Sequence, residues 1–146
     1  MAARKSPTDL APLNKADFEA LARFRFGIRR YLRFSEETVR GHGVTPQHYQ
    51  LMLALKGFPG REWATVVELA ERLQLRHHSV VELINRAQNQ GLVGRARDPD
   101  DGRAVRVALT QEGDELLGRL SALHRDELRR MDLSVPRWHD EPNTHS

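Results

Sequence analysis

The sequence predicts a mainly α-helical fold carrying one small β-wing, the arrangement of a winged helix-turn-helix. Three features point to it. Two short amphipathic helical patterns follow each other with almost no connecting chain, a turn-centred pair of alternating segments comes directly after them, and a long helical pattern lies on each side of the unit.

In chain order, residues 1–12 are polar, proline-containing and aperiodic, and are expected to form a disordered tail. Asn14 is placed as the N-cap of the first long helix, with Asp17 in its first turn. From Lys15 to about Arg40 the residues Phe18, Leu21, Phe24, Ile28, Tyr31, Leu32 and Val39 fall within one stripe. Arg25, Arg29, Arg33 and Arg40 gather beside it, either as a solvated edge paired with acids of the last helix or as a contact for phosphate or an acidic ligand. Gly41-His42-Gly43 breaks this helix, and Thr45-Pro46 opens another that closes at Gly57. Residues 58–64 read as a loop with a short strand edge, in which Trp63 serves packing rather than ligand stacking.

Thr65 followed by Glu68 has capping-box spacing, and Val66, Leu69, Ala70 and Leu73 form one helical face. After Gln74 and Leu75 a second pattern begins, Val80, Leu83, Ile84 and Ala87, which Gly91 stops. Helices so closely joined cross steeply, so the second shows its outer face to a partner. That face carries His78, Glu82, Asn85 and Asn89, flanked by Ser79 and Arg86, side chains whose lengths suit base edges in a major groove. Segments 92–97 and 104–109 read as strands around the turn Asp98-Pro99-Asp100-Asp101-Gly102-Arg103, whose tip presents Arg103. Thr110 caps a last helix running to about Met131, with Leu116, Leu117, Leu120, Leu123 and Leu128 on its apolar side. An apolar face this long on a small chain calls for a partner surface. The domain organisation expected is a tail over 1–12, one domain over 13–131 with its lobe at 45–110, and a C-terminal tail over 132–146 without helical period.

A length of 146 residues supports one domain with a real core, and its 39% hydrophobic content is lean enough to suggest exposed long helices or burial shared between subunits. The net charge is +3, carried by 20 arginines against three lysines. Arginine forms forked bonds to phosphate better than lysine does, although codon bias in a high-GC genome produces the same excess. The absence of cysteine excludes disulfides, thiolate metal sites and cysteine-based peroxide sensing. No apolar run approaches a membrane span and no hydrophobic signal core is present, so a cytoplasmic protein is expected.

The run Asp101-x-Arg103-x-x-x-Val107-x-Leu109-Thr110-x-x-Gly113 resembles the wing signature of MarR-type transcriptional regulators. Leu69-Ala70-Glu71-Arg72-Leu73, Gly91-Leu92-Val93 and the segment from Thr45 to Leu55 resemble other helices of that family, and the similarity covers roughly residues 18 to 130. The resemblance implies a homodimer, joined through residues 13–41 and 111–131, whose two lobes bind a palindromic operator in double-stranded DNA. It places Arg103 in the minor groove with Asp101 orienting its guanidinium, and lays the helix from about His77 to Gln90 in the major groove. A narrow minor groove concentrates negative potential and attracts arginine. The DNA-binding residues expected are His77, His78, Ser79, Glu82, Asn85 and Arg86 on the helix, and Arg95, Arg97, Asp101, Arg103 and Arg106 on the wing.

The chain departs from the family at Arg76, where a serine N-cap is common, at Glu82, where a basic residue is common, and after 131, where relatives continue into a sixth helix. Glu82 can accept from cytosine N4 or pair with Arg86. By analogy with relatives switched by aromatic acids, Arg25, Arg29, Tyr31, His42 and His48 form a candidate effector pocket, and the expected function is that of a repressor released by such a ligand.

No catalytic residue, metal or cofactor is expected. Adjacent His77 and His78 point about 100° apart on a helix and cannot chelate together. His42 and His48 with Glu36 could hold a metal, against a hydrogen-bonding or capping role, and the cluster Asp98, Asp100, Asp101 reads as a turn rather than an ion site. No phosphate-cradling glycine loop or base-activated nucleophile is evident. Two alternatives remain: a winged-helix interaction module without specific DNA binding, favoured by Glu82 and Arg76, and a metal-dependent enzyme.

Overall fold

A computed structural model describes residues 3, 4, 6 and 10–141 of the chain. Much of the expected N-terminal tail, and residues 142–146 of the C-terminal one, lie outside the described residues. The elements in order are α1 (Lys15–Gly41), α2 (Pro46–Lys56), β1 (Trp63–Ala64), α3 (Val66–Leu73), α4 (His77–Asn89), β2 (Val93–Arg97), β3 (Val105–Leu109) and α5 (Gln111–Arg130).

Local chemistry sets most of these boundaries. Asn14 and Asp17 close a reciprocal capping box on α1, with bonds of 2.9 and 3.0 Å, and Thr65 and Glu68 do the same for α3. Thr45 caps α2 through the His48 N–H, and Thr110 caps α5 through that of Gly113. Arg76 gives α4 no side-chain cap. The turn between α3 and α4 needs a left-handed residue, and Gln74 supplies it at φ 53°.

The three strands form one antiparallel sheet in the order β1-β3-β2. Trp63 faces Ala108 across one ladder, and Arg95 faces Val107 across the other. The core lies in the lobe between α2, α3, α4 and the sheet, where Leu51, Met52, Leu55, Leu69, Val80, Ile84 and Val107 are fully buried, and α5 adds Leu117 and Leu120.

The long helices are different. Of the α1 stripe only Val39 is fully buried, while Phe18 is 56% and Leu32 54% exposed. Leu123 and Leu128 of α5 are each 40% exposed, so part of the apolar surface of both long helices is uncovered in the single chain. Two arginines beside the stripe pair within α1, Arg33 with Glu37 at 3.1 Å and Arg40 with Glu36 at 3.2 Å, rather than with α5.

A buried histidine joins α1, α2 and α5. His124 donates from Nδ1–H to the Leu120 carbonyl at 2.6 Å, which leaves Nε2 to accept from the Ser35 hydroxyl at 2.7 Å. Its ring stacks on Tyr49 with centroids 4.5 Å apart. The segment after α5, for which the sequence offered no role, folds back along α1 of its own chain. The His139 N–H donates to Asp17 at 2.9 Å, its ring pairs with the same carboxylate, and Leu133 lies against Gly27.

Candidate nucleic-acid interface

Helix α4 buries Val80, Leu83, Ile84 and Ala87 against the lobe and so turns its opposite side to solvent. His77, His78, Glu82 and Asn85 are exposed there, Ser79 is half-buried at the edge, and Arg86, also exposed, sits on the flank that borders the cleft with α1 and α2. Glu82 makes no ion pair among the described residues, so of the two roles open to it the pairing with Arg86 is not formed. The uncapped first turn of α4 leaves its amide N–H groups and partial positive charge at the exposed end, which suits an anion such as a backbone phosphate.

The wing is bonded to this helix. Arg95 on β2 donates to Asn85 Oδ1 at 2.6 Å and to the Gln88 side chain. Two residues expected to reach DNA separately therefore hold each other, and Arg95 fixes the angle between wing and helix.

At the wing tip Asp98 does the organising. Its carboxylate accepts the N–H groups of Asp100 at 2.8 Å and Asp101 at 3.1 Å, and Arg106 Nε at 2.9 Å. The Asp100 N–H bond and the Arg106 partner outweigh the cost of burial, and they hold the Asp98 carboxyl below its ordinary range. Asp101 in turn accepts the backbone N–H of Arg103 at 3.0 Å. Asp101 thus positions Arg103 through its main chain.

The wing arginines divide into two kinds. Arg97 and Arg103 are exposed. Arg106 is ion-paired to Asp98 and lies over the Trp63 ring, 3.7 Å from its centroid, while Arg61 lies 3.9 Å from the same ring. Arg106 is thus committed to joining β3 to β1, and Trp63 is a packing residue.

The five residues of the expected effector pocket do not converge. Arg25 and Arg29 are exposed on α1. Tyr31 lines a cleft with Tyr49 between α1 and α2, whereas His42 borders a different cleft between α1 and α5 and donates from Nδ1–H to the Thr38 carbonyl at 2.8 Å. His48 is buried in a third place, between α2 and α4. The aromatic cluster around His124 went unnoticed in the sequence, where one histidine among leucines on a helix gives no signal. No helix among the described residues is long and apolar enough to cross a membrane.

An exposed helix beside a projecting wing, on a lobe carried between two long helices, defines a winged helix-turn-helix protein. Residues 42–104 match the model of the MarR family. It is 32% identical over 80 residues to YsmB, an uncharacterized HTH-type transcriptional regulator of Bacillus subtilis (strain 168), covering 51% of this chain and 55% of that protein. Over 74 residues it is 35% identical to the transcriptional regulator HosA of Escherichia coli O111:H-, covering 51% and 53%. The chain thus spans about half the length of these curated relatives.

Among solved structures it resembles AbsC, a MarR family transcriptional regulator from Streptomyces coelicolor, with a TM-score of 0.69 at 22% identity over 87% of this chain and 86% of that one. A mutant of Escherichia coli MarR complexed with operator DNA superposes with a TM-score of 0.62 at 21% identity, over 73% and 74%. At these identities the likeness shows the fold.

Proposed function

We propose that the chain is a sequence-specific DNA-binding transcriptional regulator of the cytoplasm, acting as a homodimer on a palindromic operator, most simply as a repressor. The observation that carries this reading is the shared exposure of the α4 outer face and of the wing arginines Arg97 and Arg103 on one lobe. His77, His78, Ser79, Glu82, Asn85 and Arg86 enter a major groove, and Arg103 reaches the neighbouring minor groove. Phosphate contacts supply much of the affinity and make it salt-dependent.

The uncovered apolar side chains of α1 and α5 support the dimer, since burying Phe18, Leu32, Leu123 and Leu128 against a second copy removes them from water. Two-fold pairing presents two recognition helices to successive major grooves roughly 34 Å apart. A small anionic or aromatic effector that alters this separation releases the operator. No reaction or catalytic residue belongs to this function.

Selection from random duplex DNA with the purified chain, followed by affinity measurements across salt concentration, tests the reading. Enrichment of a palindrome with discrimination that persists as salt rises is expected. Binding that is equal for all sequences refutes specific regulation and favours an interaction module, a role in which the Glu82 carboxylate would face no phosphates.

A further inference from the structure

The wing reaches beyond the packed lobe. None of residues 96–106 is buried, so apolar burial does not hold the part of the hairpin that carries Arg97 and Arg103. Side chains alternate between the two faces of a sheet, and the strand register assigns them. Val93, Arg95 and Val107 share the face turned to the lobe, where Arg95 is bonded to α4. Trp63, Ala96, Arg106 and Ala108 share the opposite face.

From that outer face a series of aromatic rings and guanidinium groups runs off the sheet. Arg106 lies 3.7 Å and Arg61 3.9 Å from the centroid of the Trp63 ring. Arg61 is also 4.3 Å from the Phe58 centroid, and Arg72 of α3 is 4.9 Å from it. The series joins the wing, through β1 and the loop before it, to the helix that precedes α4. A guanidinium is attracted to an aromatic face by the ring's quadrupole, more strongly where water is displaced, and Trp63, Arg61 and Arg106 are all half-buried.

Arg61 and Arg106 are both neutralised, so they do not repel each other across the ring. Asp98 pairs with Arg106 at 2.9 Å, and Glu68 pairs with Arg61. The two carboxylates are themselves fixed by main chain. Glu68 closes the capping box of α3, and Asp98 accepts the amides of the wing turn. One end of the series is therefore anchored in α3 and the other in the turn that carries Arg103.

We propose that this series is a strut that sets the angle of the wing to the helix-turn-helix, with Trp63 as its central positioning residue. With Arg95 on the other face it holds the hairpin from both sides, so α4 and the wing tip are presented as one rigid body. Trp63 acts on the operator only through Arg97 and Arg103. That consequence rests on the DNA-binding reading above; the strut itself does not.

Residual dipolar couplings of backbone amides in the free chain compare the orientation of residues 96–106 with that of α3 and α4. One alignment is expected to fit all of them. Trp63→Leu, which keeps an apolar side chain on β1 but no ring, is expected to shrink the wing couplings and leave those of α3 and α4 in place. Trp63→Phe restores a ring and the couplings with it. Arg106→Gln removes the guanidinium without disturbing the strand ladder and is expected to act as Trp63→Leu does, with thermal unfolding confirming that each variant is folded. On a duplex enriched from random DNA, Trp63→Leu is expected to weaken binding about tenfold, but less than about twofold where Arg97 and Arg103 are already alanine, the non-additivity of residues that act together.

Wing couplings unchanged in both Trp63→Leu and Arg106→Gln, or shrunk as much by Trp63→Phe, overturn the strut. A loss of affinity that is equal with and without the two wing arginines overturns the positioning role. If no duplex is enriched, the DNA-binding reading fails, and the couplings alone uphold or overturn the strut.

Discussion

Replacing Gly113 by alanine reverses the usual effect of such a change in a helix. In a helix interior, alanine is favoured over glycine by roughly 1 kcal/mol. Gly113 lies in the first turn of α5, where the helix meets the end of α4 and the start of β2. A Cβ built there falls well inside contact distance of the Leu92 carbonyl oxygen and 3.0 Å from its carbon, atoms of main chain that no rotamer change can move. Relief requires α5 to move away from Leu92. That motion strains the Thr110 N–H bond to the Leu92 carbonyl at 3.1 Å and the Lys56–Asp114 pair at 2.8 Å. Losing the main-chain bond costs about 1 kcal/mol, and overpacking a rigid site costs about 1–3 kcal/mol. Set against the propensity gain, Gly113→Ala is expected to destabilise by about 1–3 kcal/mol. Gly118 on the same helix supplies the control, because a Cβ there meets nothing within 4 Å, and Gly118→Ala is expected to stabilise by up to about 1 kcal/mol. Chemical denaturation of both variants decides the matter. If Gly113→Ala stabilises as much as Gly118→Ala, the close approach of α5 to Leu92 does not constrain the fold.

The two kinds of wing arginine are separable. Arg103→Ala is expected to weaken operator binding by about 1–3 kcal/mol with no change in thermal stability, whereas Arg106→Ala loses its stacking on Trp63 and about 1 kcal/mol of stability; binding titrations and melting curves on the two variants compare them. Gln74 occupies the left-handed region without being glycine, so Gln74→Gly is expected to stabilise by up to about 1 kcal/mol in urea unfolding. Burial opposes ionisation of Asp17, but the Asn14 and His139 N–H groups and the His139 ring outweigh it and lower its pKa. A lowered carboxylate contributes stability above its unfolded pKa and loses it as pH falls, so the hold on the C-terminal segment is intact at neutral pH and weakens below about pH 4. The protection factor of the His139 amide, its exchange rate corrected for the intrinsic pH dependence, is expected to fall there, and in Asp17→Asn at neutral pH; protection unchanged in both cases would mean that the carboxylate does not anchor this segment.

Local chemistry was legible in the chain alone. Asn14, Thr45, Thr65 and Thr110 cap the helices they were expected to cap, and Gly91 ends α4, because a cap joins residues within about one turn and leaves a short-range pattern in the sequence. The strands and the turn between them were readable for the same reason, and so was the face of α4 that stays wet, since the buried stripe defines its opposite.

Contacts between residues far apart in sequence leave no such pattern, and the tertiary structure decided them. The alternation of β3 says nothing of Trp63, which arrives from β1 to hold Arg106 and so separates that residue from Arg103 three positions earlier. Seven histidines look alike in a sequence. Packing gives His124 two partners, leaves His48 with none, and fastens His139 to Asp17 across the fold. The stripe on α1 was visible as a stripe, but its exposure depends on how much of it the lobe and the returning C-terminal segment can cover. What the sequence determined was which bonds each segment makes with itself. Which side chains were left exposed depended on the positions of elements that only the folded chain brings together.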